Sequence, residues 1–160
     1  MCDAGCQGRE VATLPVPAAA EPGTAGHITL DATFAEVRCA VARSLALLRP
    51  HLGASTLDGL EIVLSEVLNN VVEHAYGGSG GPIELWLAHR DAGATVSVKD
   101  RGRPMPGGGL PCPVPGPARA AGAPPAEGGF GWGLIVALAT DLRYVRTGET
   151  NWFSFRVGPL

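Results

Sequence analysis

Apolar residues recur along the chain at two periods, and each change of period marks an element. Residues 27–30 (HITL) alternate as a short strand. Phe34, Val37, Val41, Leu45 and Leu48 then recur at helical spacing, with Asp31 or Thr33 placed to cap a helix running to about residue 49. Pro50 and Gly53 interrupt the pattern. A second helix is predicted from Ser55 or Thr56 through residues 57–76, closed by Gly77 and Gly78. Residues 82–90 and 94–99 read as two strands joined by a hairpin turn over residues 91–93. After a long loop, residues 133–140 read as a short helix. Residues 142–146 and 152–157 read as two more strands about a turn at Gly148. The order β-α-α-β-β-loop-α-β-β predicts an α+β fold. The expected form is a two-layer α/β sandwich, with a mixed, mostly antiparallel sheet and helices on one face. No internal repeat is visible.

Composition changes this picture in one place. Glycine (23) and proline (14) make up about a quarter of the 160 residues, against roughly 12% in ordinary chains. Their distribution is uneven: residues 102–129 hold 8 glycines and 8 prolines, and residues 1–26 hold another 7 of the two together. The remainder is close to ordinary, 46% of residues are hydrophobic, and the net charge is only −3, so one packed core is expected rather than disorder. The pattern predicts a loose tail at 1–26 and one domain at 27–160. The long insertion then reads as a lid or binding loop, since too few residues follow it for a second domain. Acids outnumber bases, which excludes a strongly basic nucleic-acid binder. No apolar run is long enough to span a membrane, and no export signal is seen. Cys2, Cys6, Cys39 and Cys112 form no CxxC pair, so neither a zinc site nor a disulfide framework is expected. Reduced thiols and a cytoplasmic location are expected.

The second helix carries the most specific chemistry. At about 100° per residue, Leu60, Val63, Leu64, Val67, Leu68 and their successors fill one side of it. Glu66 and Asn70, one turn apart, stack at the border between the polar and apolar sides, and His74 continues the line toward the apolar edge. A carboxylate and an amide so placed offer a general base beside a hard-metal oxygen ligand. Asn69 and Asn70 are poor helix formers in mid-helix. The alternative for any one of them is an ordinary solvated helix face, and for His74 a half-buried structural histidine. Two glycine-bearing segments flank the insertion. The strand at 94–99 runs into Asp100-Arg101-Gly102, which can present a carboxylate while backbone passes close to a ligand. Gly129, Gly131 and Gly133 precede Leu134 at the start of the third helix, where backbone N–H groups suit an anion such as phosphate. Each motif alone also fits a plain turn or hinge.

Together, in this order, the motifs resemble the GHKL (Bergerat-fold) ATPase and kinase superfamily. They are most similar to the bacterial anti-sigma factor serine/threonine kinases of partner-switching systems. The stretches that carry the resemblance are residues 65–76 (SEVLNNVVEHAY), 98–104 (VKDRGRP) and 129–134 (GFGWGL). Arg103 stands where many members have a second glycine, and Trp132 puts a bulky ring among the glycines. The resemblance implies ATP and Mg²⁺ as ligands, with Asn70 on the metal and His74 beside the nucleotide. It implies Glu66 as the base acting on a partner's serine or threonine hydroxyl, and Asp100 as acceptor of the adenine amino group. Gly102 would let backbone approach the base. Gly129, Gly131, Gly133 and Leu134 would wrap the phosphates, and residues 103–128 would be the ATP lid.

The implied function is that of an anti-sigma-type regulator. It would phosphorylate an anti-anti-sigma (STAS-type) protein and sequester a sigma factor, as a homodimer, without touching nucleic acid or membrane. Phosphoryl transfer needs mainly positioning and charge neutralisation, which this small residue set can provide. Two other readings stand beside it: a non-catalytic, nucleotide-responsive binding module, and a detached histidine-kinase catalytic domain. Retention of Glu66 favours the first reading over the module. The lack of any histidine or helical pattern in residues 1–26 counts against the detached kinase domain.

Overall fold

A computed structural model describes residues 24–110 and 130–159. Five strands form one sheet: β1 (Thr24–Asp31), β2 (Pro82–Arg90), β3 (Gly93–Asp100), β4 (Thr140–Thr147) and β5 (Thr150–Val157). Their order is β1-β2-β3-β5-β4, and every neighbouring pair is antiparallel, so the sheet is simpler than the mixed one expected. Three helices, α1 (Phe34–Leu48), α2 (Ala54–Asn70) and α3 (Phe130–Leu138), complete the two layers. The α+β reading therefore holds. Among the described residues no helix is long and apolar enough to cross a membrane.

Alternation in the strands sets the two sheet faces. Ile83, Leu85 and Leu87 on β2, with Val96 and Val98 on β3, point inward and are fully buried. Against them pack Leu60, Val63, Leu64 and Leu68 of α2 and Leu48 of α1. The outward rows are closed by aromatic and long aliphatic groups. Trp86 and Trp152 lie 5.3 Å apart across the strands, with Lys99 Nζ over both rings. Lys99 also donates to Glu84 Oε1 at 2.7 Å.

The inward rows end in polar residues at one end of the sheet. On β3 the row Ala94, Val96, Val98 continues into Asp100, and on β5 the row Phe153, Phe155, Val157 begins with Asn151. The register pairs Asp100 with Asn151 on one side and Ile83 on the other. A buried carboxylate and a buried amide thus meet at the margin of the core.

Helix boundaries differ from expectation for local reasons. Thr33 caps α1 by accepting from the Glu36 N–H at 3.2 Å. Helix α2 starts at Ala54, just before the expected Ser55 or Thr56, with Gly53 as its cap and Thr56 turned into the core at 1% exposure. The α-helical hydrogen bonding of α2 stops at Asn70, and residues Val71–Ala75 form a π turn, with the Tyr76 N–H bonded to Val71 O at 3.0 Å. Helix α3 begins three residues earlier than expected, so Gly131 and Gly133 lie inside it, and it ends at Leu138. Most of the expected tail, the lid from residue 111 onward, Gly129, and Cys2, Cys6 and Cys112 lie outside the described residues.

Candidate functional site

The end of α2, the polar end of the sheet, residues 103–106 and the start of α3 enclose a cavity of about 520 Å³. That size suits a nucleotide-sized ligand. Glu66, Asn70 and His74, Asp100, and Gly131 all line it, so the structure gathers the three separate sequence motifs at one place.

Glu66 and Asn70 sit on successive turns, as their spacing requires. Neither side chain makes a hydrogen bond or ion pair within the described residues, so both polar groups are available to a ligand. Glu66 reaches to the first turn of α3: a Cβ placed on Gly131 would overlap Glu66 Oε2. Glycine at 131 is therefore what lets the carboxylate stand against that helix end. The start of α3 carries the positive end of the helix dipole, which favours an anion there.

His74 lines the cavity mouth but is exposed, with its side chain 69% accessible and its Nε2 4.0 Å from Glu73 Oε2. It does not turn to the apolar edge as the helical wheel predicts. The π turn closes its hydrogen bonds over five residues, so each residue advances less around the axis than in an α-helix, and His74 is left facing solvent. Gly133 and Leu134 also depart from expectation. Gly133 has nothing within 4 Å of an added Cβ, Leu134 is 41% exposed, and neither lines the cavity. They fall on other faces of α3, which presents Gly131, Trp132 and Ile135 instead.

Asp100 is 6% exposed. Burial raises its carboxyl above the usual carboxylate range, and the Asn151 bond, the Gly102 N–H and the nearby Arg146 charge partly offset this. Both protein bonds fall on Oδ1: Asn151 Nδ2 donates at 2.7 Å and the Gly102 N–H at 2.8 Å. Gly102 itself passes against the π turn, where a Cβ would come within 2.6 Å of Ala75 backbone. The Arg103 N–H donates to Ala75 O at 2.8 Å, fixing this crossing. Tyr76 closes the other side. Its hydroxyl donates to Pro82 O at 2.7 Å and accepts from the Arg101 N–H at 2.9 Å. Burial raises its pKa above the ordinary tyrosine value.

Sequence reading overlooked Asn151, Tyr144 and Arg146. Asn151 is 3% exposed and lines the cavity beside Asp100. The signal was present: in NWFSFRV the inward row is Asn, Phe, Phe, Val, and a polar residue heading an apolar row calls for a partner.

The residues fit the ligands that the motifs imply. Asn70 offers one free amide oxygen, and Mg²⁺ is commonly held by one or two protein oxygens with the rest from phosphate and water. Among the described residues no group of three or more His, Cys, Asp or Glu forms a metal site of its own. The family model described as a histidine kinase-like ATPase domain matches residues 29–157. No curated protein matches the chain.

Proposed function

The chain belongs to the histidine kinase-like ATPase family, and from that premise we propose that it is an anti-sigma-type regulator. It uses Mg-ATP to phosphorylate a serine or threonine of a STAS-type anti-anti-sigma partner, and it sequesters a sigma factor as a homodimer. The observation that carries this reading is Glu66: a cavity-lining carboxylate with no partner among the described residues, one turn from Asn70 and against the opening of α3.

Asp100 selects the base by accepting from its amino group, and Gly102 keeps the neighbouring backbone close. Asn70 would hold the metal by its amide oxygen, and the ion would supply neutralisation of phosphate charge. The α3 N-terminus, opened by Gly131, would lie toward the phosphates, where the helix dipole favours their charge. Glu66 orients the partner's hydroxyl and takes its proton. One P–O bond forms to that hydroxyl oxygen as the bond between the γ-phosphorus and the leaving ADP breaks. Pre-set charge and position account for most of the rate in such transfers.

The test is transfer from γ-labelled ATP, with Mg²⁺, to the STAS-type protein encoded nearest the gene. Label on a partner serine or threonine is expected, falling by about 10²-fold or more with Glu66→Gln, in line with general-base loss. ATP binding without transfer sinks the kinase reading in favour of a nucleotide-responsive module. Label on a histidine identifies a detached histidine-kinase domain instead.

A further inference from the structure

Asn151 does more than fill its place in β5. Its Nδ2 lies 2.7 Å from Asp100 Oδ1, 3.0 Å from Arg103 O and 3.3 Å from Gly102 O. Its Oδ1 accepts from Arg146 Nη1 at 2.6 Å and from the Tyr144 hydroxyl at 2.8 Å. A primary amide has two N–H donors and one oxygen with two lone pairs, so both ends are fully used. The assignment of the two ends is fixed by chemistry. A flipped amide would set oxygen against a carboxylate and two carbonyls, and nitrogen against a guanidinium.

This lock has a consequence for the cavity. Asp100 Oδ1 is occupied from two sides, while no donor among the described residues reaches Oδ2. No buried side-chain polar atom is left without a partner, so Oδ2 is open to the cavity that Asp100 lines. The carbonyls of Gly102 and Arg103, which follow Asp100 along the chain, accept from Asn151 Nδ2.

We propose that Asn151 is a positioning residue for base selection: it holds Asp100 so that one carboxylate oxygen is the single acceptor offered to a purine amino group. The inference rests on the nucleotide reading of the cavity. A base with an amino group at that position is accepted. One with a carbonyl oxygen there meets a carboxylate oxygen and is rejected, because a polar site built for a donor is left unpaired or repelled.

The experiment is calorimetric titration of the full chain with Mg-ATP and with Mg-ITP, whose base carries oxygen in place of the amino group, across pH 5–8. The wild type prefers ATP. Asn151→Ala frees the carboxylate to rotate and gives up one charge-assisted bond, so the ATP-over-ITP preference drops by about tenfold or more. The pH midpoint for ATP binding also moves up, since a donor that favoured the ionised carboxyl is gone. The ionisable groups beside Asp100 or on the same cavity are Arg146 and Tyr144 on β4, Tyr76 after the π turn, Arg103, Glu66 on α2, and Glu73 and His74 in the π turn, and all remain in the variant. A purely structural role would lower the melting point and leave both readouts unmoved. Asn151→Asp keeps the shape and the bonds from Arg146 and Tyr144 and sets a second carboxyl against Asp100, so the pair shares a proton and the midpoint for ATP binding moves up further; it carries the test where Asn151→Ala fails to fold. A folded variant with unchanged preference and midpoint overturns the inference. A wild type that binds neither nucleotide overturns the nucleotide reading itself, and this inference with it.

Discussion

Asp100 occupies a position where its own charge works against the fold. It continues an inward row of apolar residues, and burial lifts its carboxyl above the ordinary value. Between those two values the native chain holds a proton that the unfolded chain has lost. Stability therefore falls as pH rises through that window and stays reduced above it. Glu84, on the outward face, has the opposite sign. Its bond from Lys99 lowers its carboxyl below the usual range, so its contribution is present above the ordinary value and lost on acidification. A group that destabilises at neutral pH yet lines the cavity fits the binding role proposed for Asp100, and this separates two effects of one substitution. Asp100→Asn keeps an oxygen for the Asn151 and Gly102 donors but loses the charge. It leaves the melting temperature at pH 7 unchanged or a few degrees higher, at about 2–4 °C per kcal/mol for a chain of this size. ATP affinity falls at least about tenfold, because the amide directs either a donor or a neutral acceptor at the base. Thermal melts and calorimetric titration on one preparation check both halves.

At the scale of elements, α3 gives the sharpest contrast, because its two glycines look equivalent in sequence. Gly131 abuts Glu66 Oε2, whereas Gly133 faces open space. Alanine at either site favours the helix by about 0.5–1 kcal/mol. At 131 the added methyl displaces only the flexible end of Glu66, so Gly131→Ala folds normally, and on the proposed function, with Glu66 as base, phosphate transfer drops by about tenfold or more. Gly133→Ala gains similar stability and keeps its activity within about twofold. Labelled-phosphate assays on both variants, with melts as the control, decide it. The same segment shows where sequence reading stops. The strands and the cores of α1 and α2 were legible because periods of two and of 3.6 leave plain traces in the apolar positions. The early start of α3 was not, since Phe130-Gly131-Trp132-Gly133 are poor helix formers held by their setting rather than by propensity. The π turn after Asn70 was hidden as well, because one extra residue per turn barely disturbs an apolar stripe, yet it decides that His74 faces solvent. Glu66, Asn70 and Asp100 were recoverable from spacing. Asn151 left only the weaker trace of a polar residue heading an apolar row, and its partner Asp100, 51 residues away on another strand, could not be read from that trace.

Across the whole molecule, the binding chemistry and the stability are housed at different ends of the same sheet. Asp100 and Asn151 mark one end, while beyond them the inward rows of β3 and β5 hold only apolar residues. Leu87 is fully buried, pairs with Val96 and lies four residues along β2 from Ile83, the partner of Asp100. At about 3.3 Å per residue that is roughly 13 Å from the site. Leu87→Ala removes core packing and costs about 2–5 kcal/mol, a large part of the stability of a domain this size. Since the cavity wall does not include Leu87, ATP affinity of the folded protein stays within about twofold. Effects separated by more than about 10 Å with no shared partner add within about 0.5 kcal/mol. The double variant Leu87→Ala/Asp100→Asn should therefore show the stability loss of the first and the binding loss of the second, summed. Urea unfolding and titration of the four proteins in this cycle measure the coupling directly. A coupling above about 1 kcal/mol would mean that core packing and the carboxylate act as one cooperative unit, with no separation between the two ends of the sheet.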